Sequence, residues 1–439
     1  MKKYLIVLTL LTSVTCTPNK EKEPLSVMGN IEGTVTDFKT FQVLSGVTVE
    51  IISNANTTFA KKGLQTGEDG VFTFIDLEAG SYKLSFSKRH YVDNSRDVNA
   101  VAGQIVPCDV ALTGNPDFEV ENGVLTAYRG KGGNVIIPDD WGITAIGVRA
   151  FESNILLISV VVPEGVVVIG ESAFKDCTNL TSVVIPEGVM SIGAWAFNFC
   201  HNLTAITFPN SLTTIERGAF YDCSRLTAIT FPNSLSTIGS SAFRGCDLRG
   251  NIIIPDNVVS IGGGTFMGGN NNISTITIGK NLANMSSDNM SDITLPPPYC
   301  CTSSAFTSFV VDAANPNYAA ENGVLFNKAK ATLIAYPKGK QGAYIVPNSV
   351  INIAMCAFDD CEKLTAITIP ASVTSIEAYA FRLCKLMDFT VAWTTPLSVS
   401  NDLFTNTALS EIALHVPTGT KAAYAAAAVW KDFGSIIEN

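Results

Sequence analysis

The chain has 439 residues, of which 46% are hydrophobic and 9% aromatic. That is enough for two or three domains with solid cores, which excludes a largely disordered protein. A formal charge of −10 without any cluster of Lys or Arg excludes a phosphate-binding surface, so nucleic acid is not an expected partner. Three histidines (His90, His201 and His415) leave little material for imidazole catalysis or zinc, and no metal or cofactor is expected.

The N-terminus, "MKKYLIVLTLLTSVTC", places Lys2 and Lys3 before a short apolar run from Leu5 to Leu11 and small residues before Cys16. The run is too short to span a bilayer and reads as a signal peptide over residues 1–15. The stretch resembles the lipobox of bacterial lipoproteins, with Ser13 where that family usually has Leu. The resemblance implies lipidation at Cys16, with residues 16–28 as a polar tether. A plain signal peptide with an incidental cysteine is the alternative.

Residues 29–113 alternate apolar and polar positions between closely spaced turns, the pattern of a compact antiparallel β-sandwich. Phe72, Phe74, Tyr82, Leu84 and Phe86 fall at alternate positions around the 68–70 and 78–80 turns, so one face is apolar. The acidic 67–70 stretch lacks the alternating oxygen ligands of a calcium loop and reads as a turn. The segment resembles the carboxypeptidase regulatory-like domain, a noncatalytic prealbumin-like sandwich, which implies a spacer or interaction module.

A 23-residue rule then governs the chain. Pro163, Pro186, Pro209, Pro232 and Pro255 share this step with Phe151, Phe174, Phe197, Phe220, Phe243 and Phe266 and with Ile146, Ile169, Ile192, Ile215, Ile238 and Ile261. It resumes with Pro347 and Pro370, with Phe358, Phe381 and Phe404, and with Ile353 and Ile376. Fixed-period repetition marks a solenoid of units that bury apolar faces by stacking. In "LTAITFP", Leu203, Ile206 and Phe208 are expected to point inward from a strand and Ala205 and Thr207 outward, with Pro209 closing the strand. The chain is then expected to return through a turn and a short helical or irregular segment. Stacking at about 4.8 Å per rung, roughly ten rungs are expected.

The pattern "IPxxVxxIgxxAFxxCxxLTxI" resembles the BspA-like leucine-rich repeats of bacterial surface proteins over about residues 117–415. "ENGVL" at 121–125 and 321–325 reads as a β-hairpin opening each of two blocks, 117–290 and 305–415, with an irregular junction at 291–304. An Ala-rich helical run after Thr418 or Thr420 is expected to form a cap at 416–439, with Tyr424, Val429, Trp430 and Phe433 covering the last rung. The fold class is thus an N-terminal prealbumin-like β-sandwich followed by a leucine-rich-repeat solenoid with 23-residue repeats and a parallel β face.

Cys177, Cys200, Cys223, Cys246, Cys361 and Cys384 each follow the repeat phenylalanine by three positions, forming one inward column. Buried thiols meeting backbone groups are expected there, with rung-to-rung disulfides as the rival reading. No C-x-x-C pair or His partner suggests metal, and no nucleophile elbow, acid pair or aromatic platform stands out in the repeats. An enzyme is not expected. The Gly-rich 260–266 stretch occupies a repeat turn, and His201 a variable solvent-facing slot.

Recognition is left to the outward strand positions: Ser182, Val184, Ala205, Thr207, Ala228, Thr230, Thr275, Thr277, Ala366 and Thr368. These are small and weakly polar, without a charged or aromatic hot spot. The family resemblance implies an exported outer-membrane lipoprotein at the cell surface, held by its lipid anchor. It further implies adhesion through protein ligands of host matrix or neighbouring bacteria. A structural or assembly component of the envelope is the alternative.

Overall fold

A computed structural model describes residues 28–54, 60–88, 91–114, 117–286 and 304–439, divided into two compact units at Pro116 and Asp117. Lipidation at Cys16, the Cys300-Cys301 pair and His90 lie outside the described residues.

The first unit is a pair of sheets. Met28–Asp37 pairs with Val71–Glu78 antiparallel and with Ile105–Pro107 and Val110–Leu112 parallel. Facing it are Lys62–Gln65, Thr48–Ser53, Gly80–Ser87 and Asn94–Ala100 in that order. Phe72, Phe74, Tyr82, Leu84 and Phe86 fill the space between, all buried, as their alternation requires. In the acidic turn Asp69 accepts the Val71 N–H at 3.1 Å and Gly70 takes φ 71°, so this carboxylate closes a bend.

The second unit is a β-solenoid of about 13 turns with repeats of about 23 residues and almost no helix. Hairpins Phe118–Glu121 with Val124–Tyr128 and Tyr318–Glu321 with Val324–Asn327 turn on Asn122-Gly123 and Asn322-Gly323, all at positive φ. That is the backbone a tight two-residue hairpin demands. The return segment of each coil is not helical. The isoleucine column forms a second parallel ladder instead, running from Ala145–Ile146 through Val168–Ile169, Ser191–Ile192, Thr214–Ile215 and Thr237–Ile238 to Ser260–Gly262. Two short ladders per coil, joined by turns, exhaust the residues a helix would need.

The phenylalanine column is the axis of the unit. Phe151, Phe174, Phe197, Phe220 and Phe243 stack with centroids 4.8, 5.1, 5.1 and 5.2 Å apart, and Phe266 follows at 6.1 Å. A second stack runs Tyr336, Phe358, Phe381, Phe404. Backbone and ring act together: the Phe174 and Phe197 N–H groups donate to Ala196 and Ala219 of the next coil, each at 2.7 Å.

At the end of the chain the expected helical run is cut to Lys421–Ala426, and the chain returns as the parallel strand Ser435–Glu438. Thr420 precedes the helix without a side-chain cap, its hydroxyl donating to Pro417 O instead. The Glu438 carboxylate accepts the Lys421 N–H at 2.9 Å instead, and Val429 at φ 71° leaves the helical region beyond the helix. Tyr424, Val429, Trp430 and Phe433 are buried over the last coil, and Tyr424 and Trp430 hydrogen-bond Trp393 O and Leu397 O.

Phe197→Ala, which removes a ring stacked on both sides, is expected to cost about 3–5 kcal/mol in a urea melt. The exposed Thr204→Ala should change it by less than about 0.5 kcal/mol. Equal effects would show that the stack is not what holds the coils.

Candidate functional site

Cys177, Cys200, Cys223 and Cys246 lie fully buried, each donating its thiol to the carbonyl of Phe151, Phe174, Phe197 or Phe220 in the preceding coil at 3.0–3.2 Å. Cys384 does the same with Phe358 at 3.0 Å, whereas Cys361 makes longer contacts to Tyr336 O and Asp359 O. All six are free thiols. Where the column lacks cysteine, another donor takes over: Asn270 Nδ2 reaches Phe243 O at 2.8 Å and Thr407 Oγ1 reaches Phe381 O at 2.7 Å. Donation, rather than thiol chemistry, is what the slot selects.

Burial pushes these thiols up, Cys177 and Cys384 to about 12, with Cys200, Cys223 and Cys361 well above their ordinary value. A thiol that high is neutral at physiological pH and a poor nucleophile. Among the described residues no group of His, Cys, Asp and Glu is arranged to hold a metal.

On the outward side Ser182, Val184, Ala205, Thr207, Ala228 and Thr230 are exposed, and Thr275, Thr277, Ala366 and Thr368 are half-buried. The face is less bland than its small residues suggest. In the column of Val184 stand Ile136, Val161, Ile253 and Val310, with exposures of 70, 38, 60 and 47% against 57% for Val184 itself, interrupted by Thr207, Thr230 and Thr277. The second block adds Ile345 at 72%. Reading one repeat as the template hides this column, because Thr207 and Thr230 occupy it in the two most similar coils.

Those two coils also break the expected strand pattern. Leu203, Ile206 and Phe208 are buried, yet 203–208 and 226–231 are not strands, and the ladder Gly133–Ile136, Leu157–Val161, Ser182–Val184 stops before resuming at Arg249–Ile254. Phe208 and Phe231 stand there at a position held by Ile185 and Ile254 in the flanking coils. Their rings stack at 6.1 Å, while the opposite wall keeps its Thr214 to Thr237 pairing. The face opens into a groove of about 620 Å³.

On the turn side Trp195, Phe199 and Tyr221 form a half-buried cluster. Tyr221 lies 5.7 and 5.9 Å from the two other rings, with the Arg217 guanidinium 5.5 Å over Trp195 and that of Arg244 5.8 Å over Tyr221. Trp195 and Phe199 both sit at φ 58°, and a Cβ on Gly218 would stand 2.2 Å from the Trp195 ring. The repeats therefore carry an aromatic cluster that sequence reading missed, since its members occupy variable slots. His201 joins its edge, half-buried, with Nδ1 3.0 Å from Asp222 O and its ring 5.6 Å from Phe199.

Comparison with known proteins places these features. The model of the BspA type leucine rich repeat region matches residues 144–273, 250–297 and 338–425, together more than half of the chain. The model of the carboxypeptidase regulatory-like domain matches residues 30–113. No curated protein matches the chain. Among solved structures, a leucine rich cell surface protein from Faecalibacterium prausnitzii is similar with a TM-score of 0.54 at 22% identity, over 81% of this chain and 94% of that one, and shares the fold. The pneumococcal vaccine antigen PcpA matches with a TM-score of 0.41 at 18% identity, over 81% of this chain and 98% of that one. The T. pallidum leucine rich repeat protein gives a TM-score of 0.35 at 26% identity, over 42% and 96%.

Two expectations follow from the thiol column. Cys200→Thr should keep stability within about 1 kcal/mol, as Thr407 fills the same slot, while Cys200→Val, which cannot donate, should cost about 1–3 kcal/mol. Because ionised thiols favour the unfolded chain, the column's contribution is fully present below the ordinary thiol value near 8.5 and declines as pH rises toward about 12. Melting temperature should fall across that window, and less in Cys200→Thr. An identical fall in the variant would remove Cys200 from the account.

Proposed function

Because the chain belongs to the BspA type leucine rich repeat family, we propose that it is an exported cell-surface protein whose solenoid binds proteins of host or neighbouring cells. In this reading lipid on Cys16 holds the chain in the membrane and the N-terminal sandwich is a spacer. The observation that carries it is the exposed apolar column Ile136, Val161, Val184, Ile253 and Val310 on the strand face. Aliphatic residues aligned along one face and left in water mark an interaction surface. Thr277 and Thr368 within these columns and Ser182, Ala205, Ala228, Thr275 and Ala366 beside them let a partner approach closely. The Trp195, Tyr221 and Arg217 cluster has the composition of interface hot spots and offers a second anchor.

The test is binding of the full chain to an array of extracellular matrix and bacterial surface proteins, with protease accessibility on whole cells. Saturable binding is expected, weakened about tenfold or more by Val184→Lys with Ile253→Lys at unchanged melting temperature. Binding indifferent to both substitutions would remove the strand face. A chain shielded from protease on intact cells, with no ligand on the array, would replace adhesion by a structural role in the envelope.

A further inference from the structure

The opened stretch of the strand face is chemically unlike the rest of the solenoid. Where the ladder holds, two outward hydroxyls bridge coils, Ser159 Oγ donating to Asn134 Oδ1 at 2.8 Å and Thr277 Oγ1 to Asn251 Oδ1 at 3.2 Å, and the main chain is paired. In the groove the Thr207 and Thr230 hydroxyls are exposed and make no hydrogen bond among the described residues. The backbone is equally unspent. Between Thr204 N to Thr181 O at 3.4 Å and Arg249 N to Thr227 O at 3.1 Å, residues 205–208 and 228–231 give and receive no backbone hydrogen bond among the described residues. Asn210 and Asn233 line the rim, and Phe208 and Phe231, each 7% exposed, reach the floor.

We propose that this groove binds a neutral oligosaccharide. The volume is in the range that takes a ligand of a few rings, roughly 300–1,000 Å³. None of the lining residues is charged, in a chain where 15% of residues are, and the Glu187 carboxylate beside it is already held by the Asn210 N–H at 2.9 Å and its Nδ2 at 3.2 Å. A charged ligand would lose hydration there without a counter-charge. Sugar hydroxyls both donate and accept, matching threonine hydroxyls, the Asn233 amide and unpaired main-chain groups, while the C–H faces of the rings suit the apolar floor. The identical Ala-Ile-Thr-Phe-Pro-Asn of the two coils repeats the same donor and acceptor set one step along, as a saccharide chain repeats its own.

This site goes beyond the protein-binding reading and is tested apart from it. The full chain is titrated calorimetrically with cellohexaose, xylohexaose, mannohexaose and laminarihexaose, with a polyuronate and an uncharged extended peptide alongside. Saturable binding of at least one neutral hexasaccharide is expected, with an affinity unchanged between low and high salt. Thr207→Val with Thr230→Val should weaken it about tenfold or more at unchanged melting temperature, the size of one or two hydrogen bonds. Phe208→Ile with Phe231→Ile should let the ladder close, abolishing binding while the protein remains at least as stable. Binding of the polyuronate or peptide alone, silence from all four neutral sugars, or neutral-sugar binding that survives both double variants would overturn the proposal. Protein binding sensitive to Val184→Lys could stand in any of these cases.

Discussion

Everything in the solenoid depends on the coupling of one side chain to its own peptide group. From Phe151 to Phe220 each repeat phenylalanine stacks its ring about 5 Å from the next and donates its N–H to the following coil. Its carbonyl takes a side-chain donor from that coil, most often a thiol. Ring spacing and hydrogen-bond spacing agree, so apolar burial and backbone satisfaction are met by the same geometry. A coil alone could meet neither, because the donor for its carbonyl and the ring for its stack both belong to its neighbour. Cysteine suits the slot by being small, apolar enough for a fully buried site, and still able to donate.

That economy fixes where function can reside. Columns committed to stacking admit few substitutions, so recognition falls to positions that the coil does not need. The strand face uses them for an apolar column through Val184 and Ile253, and the turn side for the rings of Trp195, Phe199 and Tyr221. Holding Trp195 and Phe199 at positive φ carries a conformational cost, accepted at a turn whose other coils use Ser172, Gly218 and Ser241.

Much of this was legible in the sequence because period is a strong signal. The Phe, Ile and Pro columns define the coil length, Asn-Gly at 122–123 and 322–323 defines the hairpins, and alternation around Phe72 and Tyr82 defines the sandwich. What escaped depends on neighbours in the stack, not on position in the repeat. The isoleucine column gives pairs such as Thr214–Ile215, too short to show alternation, yet parallel pairing with the coils on either side makes it a sheet. Alanine content after Thr420 suggests a longer helix than a chain with a strand still to place at Ser435–Glu438 can use. The thiol slot was readable as inward, but its common property, donation to a carbonyl, emerged only once Asn270 and Thr407 were seen doing the same work.

The coils at 203–232 show how a repeat can create a site by repeating too well. A single phenylalanine at the last inward strand position could tilt into the space beside a smaller neighbour such as Ile185 or Ile254. Two in succession cannot both do so. Phe208 and Phe231 lie nearly parallel, 8° apart, and meet Phe220 and Phe243 edge-on, where the flanking coils have Ile185 and Ile254. The Ile215 to Ile238 ladder on the other wall stays paired, so the loss of pairing is confined to the strand face. Unpaired amides and hydroxyls are then displayed on a rigid support, at no cost to the phenylalanine axis behind them. In a fold that allows little variation per coil, near-identical neighbours become the source of local chemistry, because they place the same oversized side chain at the same height twice.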